Sequence, residues 1–269
     1  KKFNIPIICV GNIYIGGTGK TPSAIFIAQK LKNLGKRPVI IRKYYKEHFD
    51  EHGLIKEHFP DLILDQNRTT AIEKAENNYD LAVLDDGFQD YKIKKNLNIL
   101  CFNHEQLIGN GLVIPAGPLR EDIQAVKNAN IIIINGSKVQ HFEKEILKIN
   151  NSLDIFYSSY VPENVEMFRN KKLIAIAGIG NPENFFNLLN KFSLKIEKKI
   201  VYPDHYNFKK SEILKIINNA QKNKCSVITT EKDYFRIKDL NLENINYLKL
   251  EYKIDNENKF LNRILRLYD

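Results

Sequence analysis

Residues 11 to 21 of the chain read Gly11-Asn12-Ile13-Tyr14-Ile15-Gly16-Gly17-Thr18-Gly19-Lys20-Thr21. An apolar run, residues 5–10, precedes this glycine-rich stretch, and a helical pattern with Ala24, Ala28 and Leu31 on one face follows it. A strand that leads through a glycine-rich loop into a helix is the context in which a phosphate-binding loop works. The sequence therefore predicts a β-loop-α unit at the start of a parallel α/β domain.

The glycine-rich stretch carries the groups that hold a phosphate chain. Four residues have backbone amides that can turn toward phosphate oxygens at a helix N-terminus, and they are Gly16, Gly17, Thr18 and Gly19. Lys20 would reach the β- and γ-phosphates, and the Thr21 hydroxyl would ligate Mg²⁺. Because Tyr14 occupies the place of the first glycine in the strict motif, a glycine-rich turn without a ligand is the alternative.

A second motif, Leu81-Ala82-Val83-Leu84-Asp85-Asp86, is an apolar strand that ends in two acids. Carboxylates at the carboxyl end of a parallel strand can hold Mg²⁺, directly or through water. Two like charges this close repel each other without a cation, which favours a metal role for Asp85 and Asp86 over a turn or a helix cap. Residues 223–226 lack the aspartate of a guanine-reading loop, so the motifs favour ATP over GTP.

Further apolar runs continue the alternation of strands and helices. Strands are predicted at Pro38–Arg42, Leu81–Leu84, Asn98–Phe102 and Asn130–Ile134, which are nearly continuous in apolar residues, as in strands buried on both faces. A second alternating series opens near residue 173. The prediction is α/β, with a P-loop NTPase-like parallel-sheet domain at 1–152, an extended linker at 153–168 and a second, smaller α/β domain at 169–269.

Composition narrows the class of protein. The 269 residues are 43% hydrophobic and 27% charged, which excludes a disordered or collagen-like chain. A net charge of +9 would fit nucleic acid, an anionic lipid surface or a phosphorylated substrate, but the chain has no nucleic-acid-reading motif. Its three cysteines have no metal-ligand spacing. No apolar run reaches the roughly 18 residues of a membrane span.

Beyond the phosphate loop, several short motifs follow one another along the chain. They are Leu84-Asp85-Asp86-Gly87-Phe88-Gln89, Gly109-Asn110-Gly111, Pro115-Ala116-Gly117-Pro118-Leu119-Arg120-Glu121, Pro203-Asp204-His205 and Thr230-Glu231-Lys232-Asp233. With these motifs the chain resembles the tetraacyldisaccharide 4′-kinases, which phosphorylate a lipid disaccharide in lipid A biosynthesis. This ordered set is far more specific than a phosphate loop alone.

The resemblance implies an ATP- and Mg²⁺-dependent kinase with two α/β domains. Its substrate would be an acylated disaccharide 1-phosphate glycolipid, bound in a cleft between the domains. The resemblance further implies a place at the cytoplasmic face of the inner membrane, peripheral or anchored by a hydrophobic N-terminal helix that would precede Lys1. An anionic membrane surface is the second expected partner. We expect a monomer that binds no nucleic acid.

The resemblance also assigns roles to single residues. Asp50 matches the aspartate of the family's Gly-Asp-Glu-Pro motif and is the candidate base for the sugar hydroxyl, with His205 as its partner. Arg120 would neutralise the transferring phosphate, and Glu121 would assist Mg²⁺. Four further residues are the expected substrate contacts, namely Arg42, Tyr44, Gln89 and Asn110.

The chain departs from the family pattern at Lys43, His52 and Asp90, where the family has glycine, proline and histidine. Two other interpretations stay open beside the kinase. A P-loop ATPase or switch module without a lipid acceptor would hydrolyse ATP independently of glycolipid, and its second domain would bind a partner. Nucleic-acid binding would rest on the net charge of +9 alone.

Overall fold

In this computed structural model, residues 1–46 and 49–268 are described, without the side chains of residues 49 and 50. The chain divides into two compact units. The first consists of Lys1–His48, Ile55–Ser159 and Tyr252–Asp269, and the second of Phe49–Leu54 and Tyr160–Glu251. Each unit contains its own sheet and its own hydrophobic clusters.

The strands in chain order are β1 (Ile7–Gly11), β2 (Pro38–Lys43), β3 (Leu62–Asp65), β4 (Leu81–Asp85), β5 (Leu97–Asn103), β6 (Ile131–Asn135), β7 (Asp154–Pro162), β8 (Lys172–Ala177), β9 (Lys195–Val201), β10 (Cys225–Thr229), β11 (Ile245–Tyr247) and β12 (Leu250–Ile254). The helices are α1 (Lys20–Asn33), α2 (Phe49–His58), α3 (Arg68–Ala75), α4 (Gln140–Ile149), α5 (Pro182–Lys191), α6 (Lys210–Lys222), α7 (Glu231–Ile237) and α8 (Glu257–Leu265). Short 3-10 helices span Ile123–Asn128, Val165–Phe168 and Lys238–Leu240.

The larger sheet has the strand order β12-β7-β6-β5-β1-β4-β2-β3. The pairs from β7 to β3 are parallel. Successive residues of β1 enter opposite hydrophobic clusters, with Ile7 and Cys9 in one and Ile8 and Val10 in the other. Burial on both faces explains why these strands are almost uniformly apolar.

The strand order places the carboxyl ends of β1, β4 and β2 side by side. Register pairs Val10 of β1 with Asp85 of β4, and Asp85 in turn with Arg42 of β2. The chain leaves β1 toward α1 and β2 on one side and reaches β5 on the other, so the carboxyl end of β1 lies where the strand order reverses. Open parallel sheets bind ligands at such a point.

The second unit contains a four-stranded parallel sheet in the order β11-β10-β8-β9. One cluster covers it with Phe185, Phe186 and Leu189 of α5. The other contains Ile213 and Ile217 of α6. A helix on each face again gives buried strands with apolar sequences, as the pattern near residue 173 predicts.

The structure differs from the predicted boundaries in two places. Most of the segment predicted as a linker is β7, which pairs in parallel with β6 and buries Phe156 and Tyr157. Residues 252–268 return to the first unit, where β12 joins the large sheet and α8 buries Phe260 and Ile264. Local patterns do not reveal either feature because both depend on pairing between distant segments.

Candidate active site

The phosphate loop connects β1 to α1 and begins at a tight contact. A Cβ atom on Gly11 would lie 2.5 Å from Cβ of Phe88, so only glycine lets the end of β1 approach the segment after β4. Gly19 caps α1 with a φ of +88°, a left-handed conformation that an L side chain rarely adopts. Both glycines are therefore required by backbone geometry.

The buried side chain of Asn12 holds the backbone of the phosphate loop in place, a role that the sequence motifs do not indicate. Its side chain is fully buried, and Nδ2 donates hydrogen bonds to the carbonyl oxygen of Tyr14 at 2.6 Å and to Oγ1 of Thr18 at 3.0 Å. The Nε2 atom of Gln89 donates to the Asn12 carbonyl oxygen at 2.8 Å. Gln89, predicted as a substrate contact, is thus bound to the loop backbone through its amide nitrogen.

The segment around Leu119 supports the same loop from another side. The amide of Ile15 donates to the carbonyl oxygen of Pro118 at 2.9 Å, and the amide of Arg120 donates to that of Ile13 at 2.7 Å. Leu119 is fully buried between them. These contacts fix the backbone of Arg120 relative to the phosphate loop.

Three cationic side chains surround the second acid of the Asp85-Asp86 pair. Nζ of Lys20 lies 3.7 Å from Oδ1 of Asp86, and Nη1 of Arg120 contacts the two carboxylate oxygens at 2.9 and 3.1 Å. Arg68 donates through Nη2 to the Asp86 carbonyl oxygen at 2.5 Å. Burial by itself would raise the pKa of Asp86, but Lys20, Arg120 and Arg42 outweigh burial and lower it. Asp86 is therefore a carboxylate at neutral pH.

Asp85 is completely buried beside the first turn of α1. The Thr21 hydroxyl donates to Oδ2 of Asp85 at 3.0 Å, and Nη1 of Arg42 donates to the same carboxylate oxygen and to Thr21 Oγ1. Within the described residues, Oδ1 of Asp85 is buried without a hydrogen-bond partner. A buried carboxylate oxygen without a donor is costly unless a cation or water engages it.

These groups fit a magnesium ion. Mg²⁺ prefers oxygen ligands, and it commonly takes one or two from protein and the rest from phosphates and water. Thr21 Oγ1 and Asp85 Oδ1 are oxygens of the required kind, next to the loop predicted to hold the phosphates. The described residues contain no group of three or more His, Cys, Asp or Glu side chains arranged to hold a metal.

Arg42 and Glu121 have surroundings that the sequence does not predict. Arg42, expected to contact substrate, is 8% exposed and pairs with Asp85. Glu121, expected near the metal, accepts a hydrogen bond from the Tyr91 hydroxyl through Oε2. Partial burial and the Glu121 carboxylate together raise the pKa of Tyr91 to about 12, so Tyr91 stays a hydrogen-bond donor.

The two remaining predicted substrate contacts lie in different settings. Asn110 holds its own loop, because Nδ2 donates to the Ala116 carbonyl oxygen at 3.0 Å and Oδ1 accepts from the Leu112 amide at 3.1 Å. Tyr44 follows β2 and is 43% exposed. Both residues are exposed, and Asn110 differs from Tyr44 in that its side chain holds the backbone of its own loop.

In the second unit, a lysine joins the residues around His205. Nζ of Lys232 lies 3.4 Å from Nε2 of His205, 3.3 Å from Oδ1 of Asp204 and 3.4 Å from Oε1 of Glu51. His205 has a φ of +57°, so its backbone is held in the left-handed region. The candidate base Asp50 is in α2, and its side chain lies outside the described residues.

Asp233 and Arg236, two residues of α7, hold the loops of this cluster in place. Oδ2 of Asp233 accepts from the Gly178 amide at 2.9 Å and from the Thr230 hydroxyl at 2.7 Å. Nη1 of Arg236 donates to the carbonyl oxygens of Gly178 at 3.1 Å and Tyr206 at 3.4 Å. Burial raises the pKa of Asp233, and the hydrogen bonds and Arg236 oppose that rise. The Thr-Glu-Lys-Asp motif indicated this place but not these roles.

Comparison with known proteins decides between the kinase and its alternatives. The family model described as LpxK, tetraacyldisaccharide-1-P 4′-kinase, matches residues 1–269. The chain belongs to this family. The tetraacyldisaccharide 4′-kinase of Pelagibacter ubique is 39% identical over 267 residues, which cover 98% of this chain and 85% of the relative. That of Haemophilus influenzae is 30% identical over 284 residues, covering 98% and 83%.

A solved structure agrees with the fold. LpxK from Aquifex aeolicus, crystallised in complex with ATP, matches with a TM-score of 0.77 at 24% identity and covers 100% of this chain and 90% of that one. The predicted α/β class with a P-loop kinase sheet is confirmed. Family membership confirms the predicted enzyme class, an ATP-dependent 4′-kinase of lipid A biosynthesis. Within the described residues, no helix combines the length and apolarity needed to cross a membrane.

Proposed function

We propose that this chain transfers the γ-phosphate of ATP to the 4′-hydroxyl of a tetraacyldisaccharide 1-phosphate through the residues described above. One observation carries the assignment of roles. Lys20 and Arg120 converge on the carboxylate of Asp86 at the carboxyl edge of the parallel sheet, directly after the phosphate loop. Phosphoryl transfer needs little covalent work from a protein, and it depends on positioning and on neutralising the charge of the phosphates.

The phosphate loop holds the triphosphate. Amides of Gly16, Gly17, Thr18 and Gly19 bind its oxygens, and the space beside Gly16 and Gly17 supports this because a Cβ atom on either would meet nothing within 4 Å. Lys20 leaves Asp86 for the β- and γ-phosphates when nucleotide binds. Before nucleotide binds, Asp86 holds Lys20 and Arg120 close together, because its negative charge offsets part of their mutual repulsion.

Thr21 and Asp85 would hold Mg²⁺, and Asp86 and Glu121 would assist from their own positions. Bound Mg²⁺ would neutralise charge on the β- and γ-phosphate oxygens. Arg42 positions Asp85 from the neighbouring strand, which leaves Oδ1 as the ligand atom. Glu121 is oriented by Tyr91.

The candidate base and its partner are both residues of the second unit. Asp50, with His205, takes the proton of the sugar hydroxyl as the new P–O bond forms. Lys232 supports this assignment, because its ammonium group contacts His205, Asp204 and Glu51, the residue after Asp50. Tyr44 contacts the substrate. Arg42, Gln89 and Asn110 instead support the site, through Asp85, the backbone of the phosphate loop and the loop around Asn110, respectively.

The glycolipid substrate places the reaction at a membrane. An acylated disaccharide 1-phosphate resides in a lipid layer, so the enzyme works at an anionic surface, the cytoplasmic face of the inner membrane. We expect it to act there as a monomer. The net charge of +9 supports attraction to such a surface. Peripheral association and a helical anchor are both compatible with this position.

The experiment compares Lys20→Ala with Lys32→Ala, a lysine of the same helix that pairs with Asp61 at 2.7 Å. Each protein is incubated with labelled ATP and the glycolipid in mixed detergent micelles. Lys20→Ala should lose roughly 100-fold or more in transfer, because a phosphate-stabilising charge is gone, whereas Lys32→Ala should match the wild type. Full labelling of lipid by Lys20→Ala would overturn the proposal. A rate of ATP hydrolysis that does not change when glycolipid is added would favour the ATPase or switch module.

The base is tested separately. His205→Gln and Asp50→Asn should lower kcat with little change in the KM for ATP, because neither residue holds the nucleotide. The pH profile of kcat should lose its acidic limb in Asp50→Asn. Unchanged profiles in both variants would assign the base to another group.

A further inference from the structure

The loop between β5 and the Arg120 segment contains a long stretch without charge. Residues 106–119 read Gln-Leu-Ile-Gly-Asn-Gly-Leu-Val-Ile-Pro-Ala-Gly-Pro-Leu, without a single Asp, Glu, Lys or Arg in a chain that is 27% charged. We name residues 106–119 the uncharged loop. Three consecutive side chains at its tip are exposed apolar groups, with Leu112 at 51%, Val113 at 37% and Ile114 at 51%.

The uncharged loop is ordered by its own backbone. Asn110 closes it on both sides through Ala116 and Leu112. Its internal amide-to-carbonyl hydrogen bonds run from Gly109 to Gln106, Gly111 to Ile108, Ala116 to Val113, Leu119 to Leu112 and Ile114 to Leu119. The backbone polar groups that would be costly to remove from water are therefore largely paired within the loop.

The loop lies against the phosphate loop. Leu119 forms isolated β-bridges with Tyr14 and with Val113. In addition, the Ile15 amide donates to the Pro118 carbonyl oxygen at 2.9 Å. Ile15, within the phosphate loop itself, is 48% exposed and adds a fourth apolar side chain. Exposed apolar residues are ordinary when scattered, but here they gather beside the residues that handle phosphate.

We propose that the uncharged loop inserts its tip, Leu112, Val113 and Ile114, into the hydrocarbon edge of an anionic phospholipid bilayer. The inference rests on the proposed function, because a substrate with four acyl chains keeps those chains in the bilayer while its sugar reaches the γ-phosphate. A tip beside the phosphate loop holds the site at that depth. Paired backbone and uncharged, apolar side chains meet the two requirements for entering a lipid interface.

Charge and size favour a bilayer over other occupants. The net charge of +9 attracts the chain to an anionic surface, which the uncharged tip can then enter. A second copy of the chain would need about 1,200–2,000 Å² of buried surface for a stable dimer, far more than four side chains provide. Lipid requires no complementary shape, so a small apolar tip suffices.

The chain has no tryptophan, which makes one introduced tryptophan a specific reporter. Leu112→Trp places it at the tip, and Leu34→Trp is the matched control, because Leu34 is 50% exposed at the other end of α1. Each full chain is mixed with vesicles of phosphatidylglycerol and phosphatidylcholine carrying brominated acyl chains. We expect a blue shift and strong quenching of Leu112→Trp, and neither for Leu34→Trp.

Three outcomes of the vesicle experiment would overturn the inference. They are equal quenching of both reporters, vesicle binding without quenching of Leu112→Trp, and no vesicle binding. A blue shift of Leu112→Trp that depends on protein concentration without vesicles would instead mean that a second copy covers the tip, which also overturns it.

A double variant, Leu112→Ser with Ile114→Ser, separates this inference from the proposed kinase. Its affinity for the vesicles should fall roughly tenfold or more, because two apolar anchors are lost. Transfer to glycolipid embedded in vesicles should fall with it, while transfer to glycolipid in detergent micelles should equal that of the wild type. If the wild type fails in micelles, the proposed function is wrong. If the variant matches the wild type on vesicles, only the role of the loop is wrong.

Discussion

Arg42 and Asp85 form an ion pair whose side chains are almost completely withdrawn from water, at 9% and 0% exposure. The register of β2 against β4 places these residues directly beside each other at the carboxyl edge of the sheet. A buried charge is tolerated only with a partner, so each of the two requires the other. Their contact with Thr21 connects the pair to the first turn of α1.

Replacing Arg42 with methionine should destabilise the protein strongly. The substitution leaves Asp85 buried without its cation, which costs about 3–5 kcal/mol of unfolding free energy. Urea unfolding followed by circular dichroism measures the change. Arg37→Met is the control, because Arg37 forms an ion pair with Asp80 at the surface, where its side chain is 67% exposed. Equal midpoints for Arg42→Met and Arg37→Met would contradict the argument.

The Asp86 carboxylate should stabilise the fold in a pH-dependent way. Its pKa is lowered from 3.8, so the unfolded state binds the proton more readily and the stabilisation is present above that value. It is lost as the pH falls below 3.8 and toward the folded pKa. The gap in unfolding free energy between the wild type and Asp86→Asn should therefore be wide near about pH 7 and narrow near about pH 3. A gap of constant size across this range would rule the mechanism out.

Two glycines of the phosphate loop should respond differently to alanine. Gly19→Ala forces a side chain into a φ of +88° with its Cβ atom 3.3 Å from Asn135 Nδ2, at a cost of about 1–2 kcal/mol. Gly17→Ala places a Cβ atom in open space and should stay within about 0.5 kcal/mol of the wild type. Thermal unfolding without nucleotide measures both. A larger loss for Gly17→Ala would show that the loop geometry differs from the one described.

Removing the Thr21 hydroxyl should impair the magnesium dependence of the reaction. Thr21→Val loses a ligand oxygen and the hydrogen bond to Asp85, so we expect roughly a 100-fold lower kcat/KM and a higher Mg²⁺ requirement. Thr21→Ser keeps the hydroxyl and should retain most of the activity. Chelation by EDTA should stop transfer by every variant. Wild-type behaviour of Thr21→Val in a Mg²⁺ titration would remove Thr21 from the metal site.

Asp233→Ala should lower both the stability of the second unit and the kcat of the reaction. The change leaves Arg236 buried without the carboxylate that lies 3.3 Å away, which costs roughly 3–5 kcal/mol, and it frees the Gly178 amide. We expect a lower kcat, because Arg236 also holds the carbonyl oxygen of Tyr206, the residue after His205. Asp239→Ala, at an exposed position of the same unit, should be neutral. Unchanged kcat and melting temperature in Asp233→Ala would contradict this role.

The sequence predicts those parts of the fold whose signal is local. Strands buried on both faces are apolar throughout, as in Leu81–Asp85 and Ile131–Asn135, so their positions can be predicted within a residue or two. In contrast, Leu62–Asp65 is only partly buried along its length and gives no comparable run. The strand Leu250–Ile254 cannot be assigned to the larger sheet from the sequence, because that pairing joins segments far apart in the chain.

The same division applies to the site. Glycines and the Lys20-Thr21 pair predict the phosphate loop because their backbone chemistry is specific to it. The burial of Arg42 depends on the register between two strands, and the bracing by Asn12 depends on the folded path of the loop. Neither leaves a pattern in the sequence. The roles assigned to Asp50 and His205 stay predictions.

The place of β12 has a consequence for synthesis of the chain on the ribosome. This strand completes the edge of the large sheet beside β7, yet it follows the whole second unit in translation order. Until residues 250–265 have left the ribosome, β7 presents an unpaired edge. The apolar surface that Phe260 and Ile264 later cover stays exposed to solvent. A nascent chain interrupted there would be a ready target for chaperones and proteases, even though its catalytic motifs have already been translated.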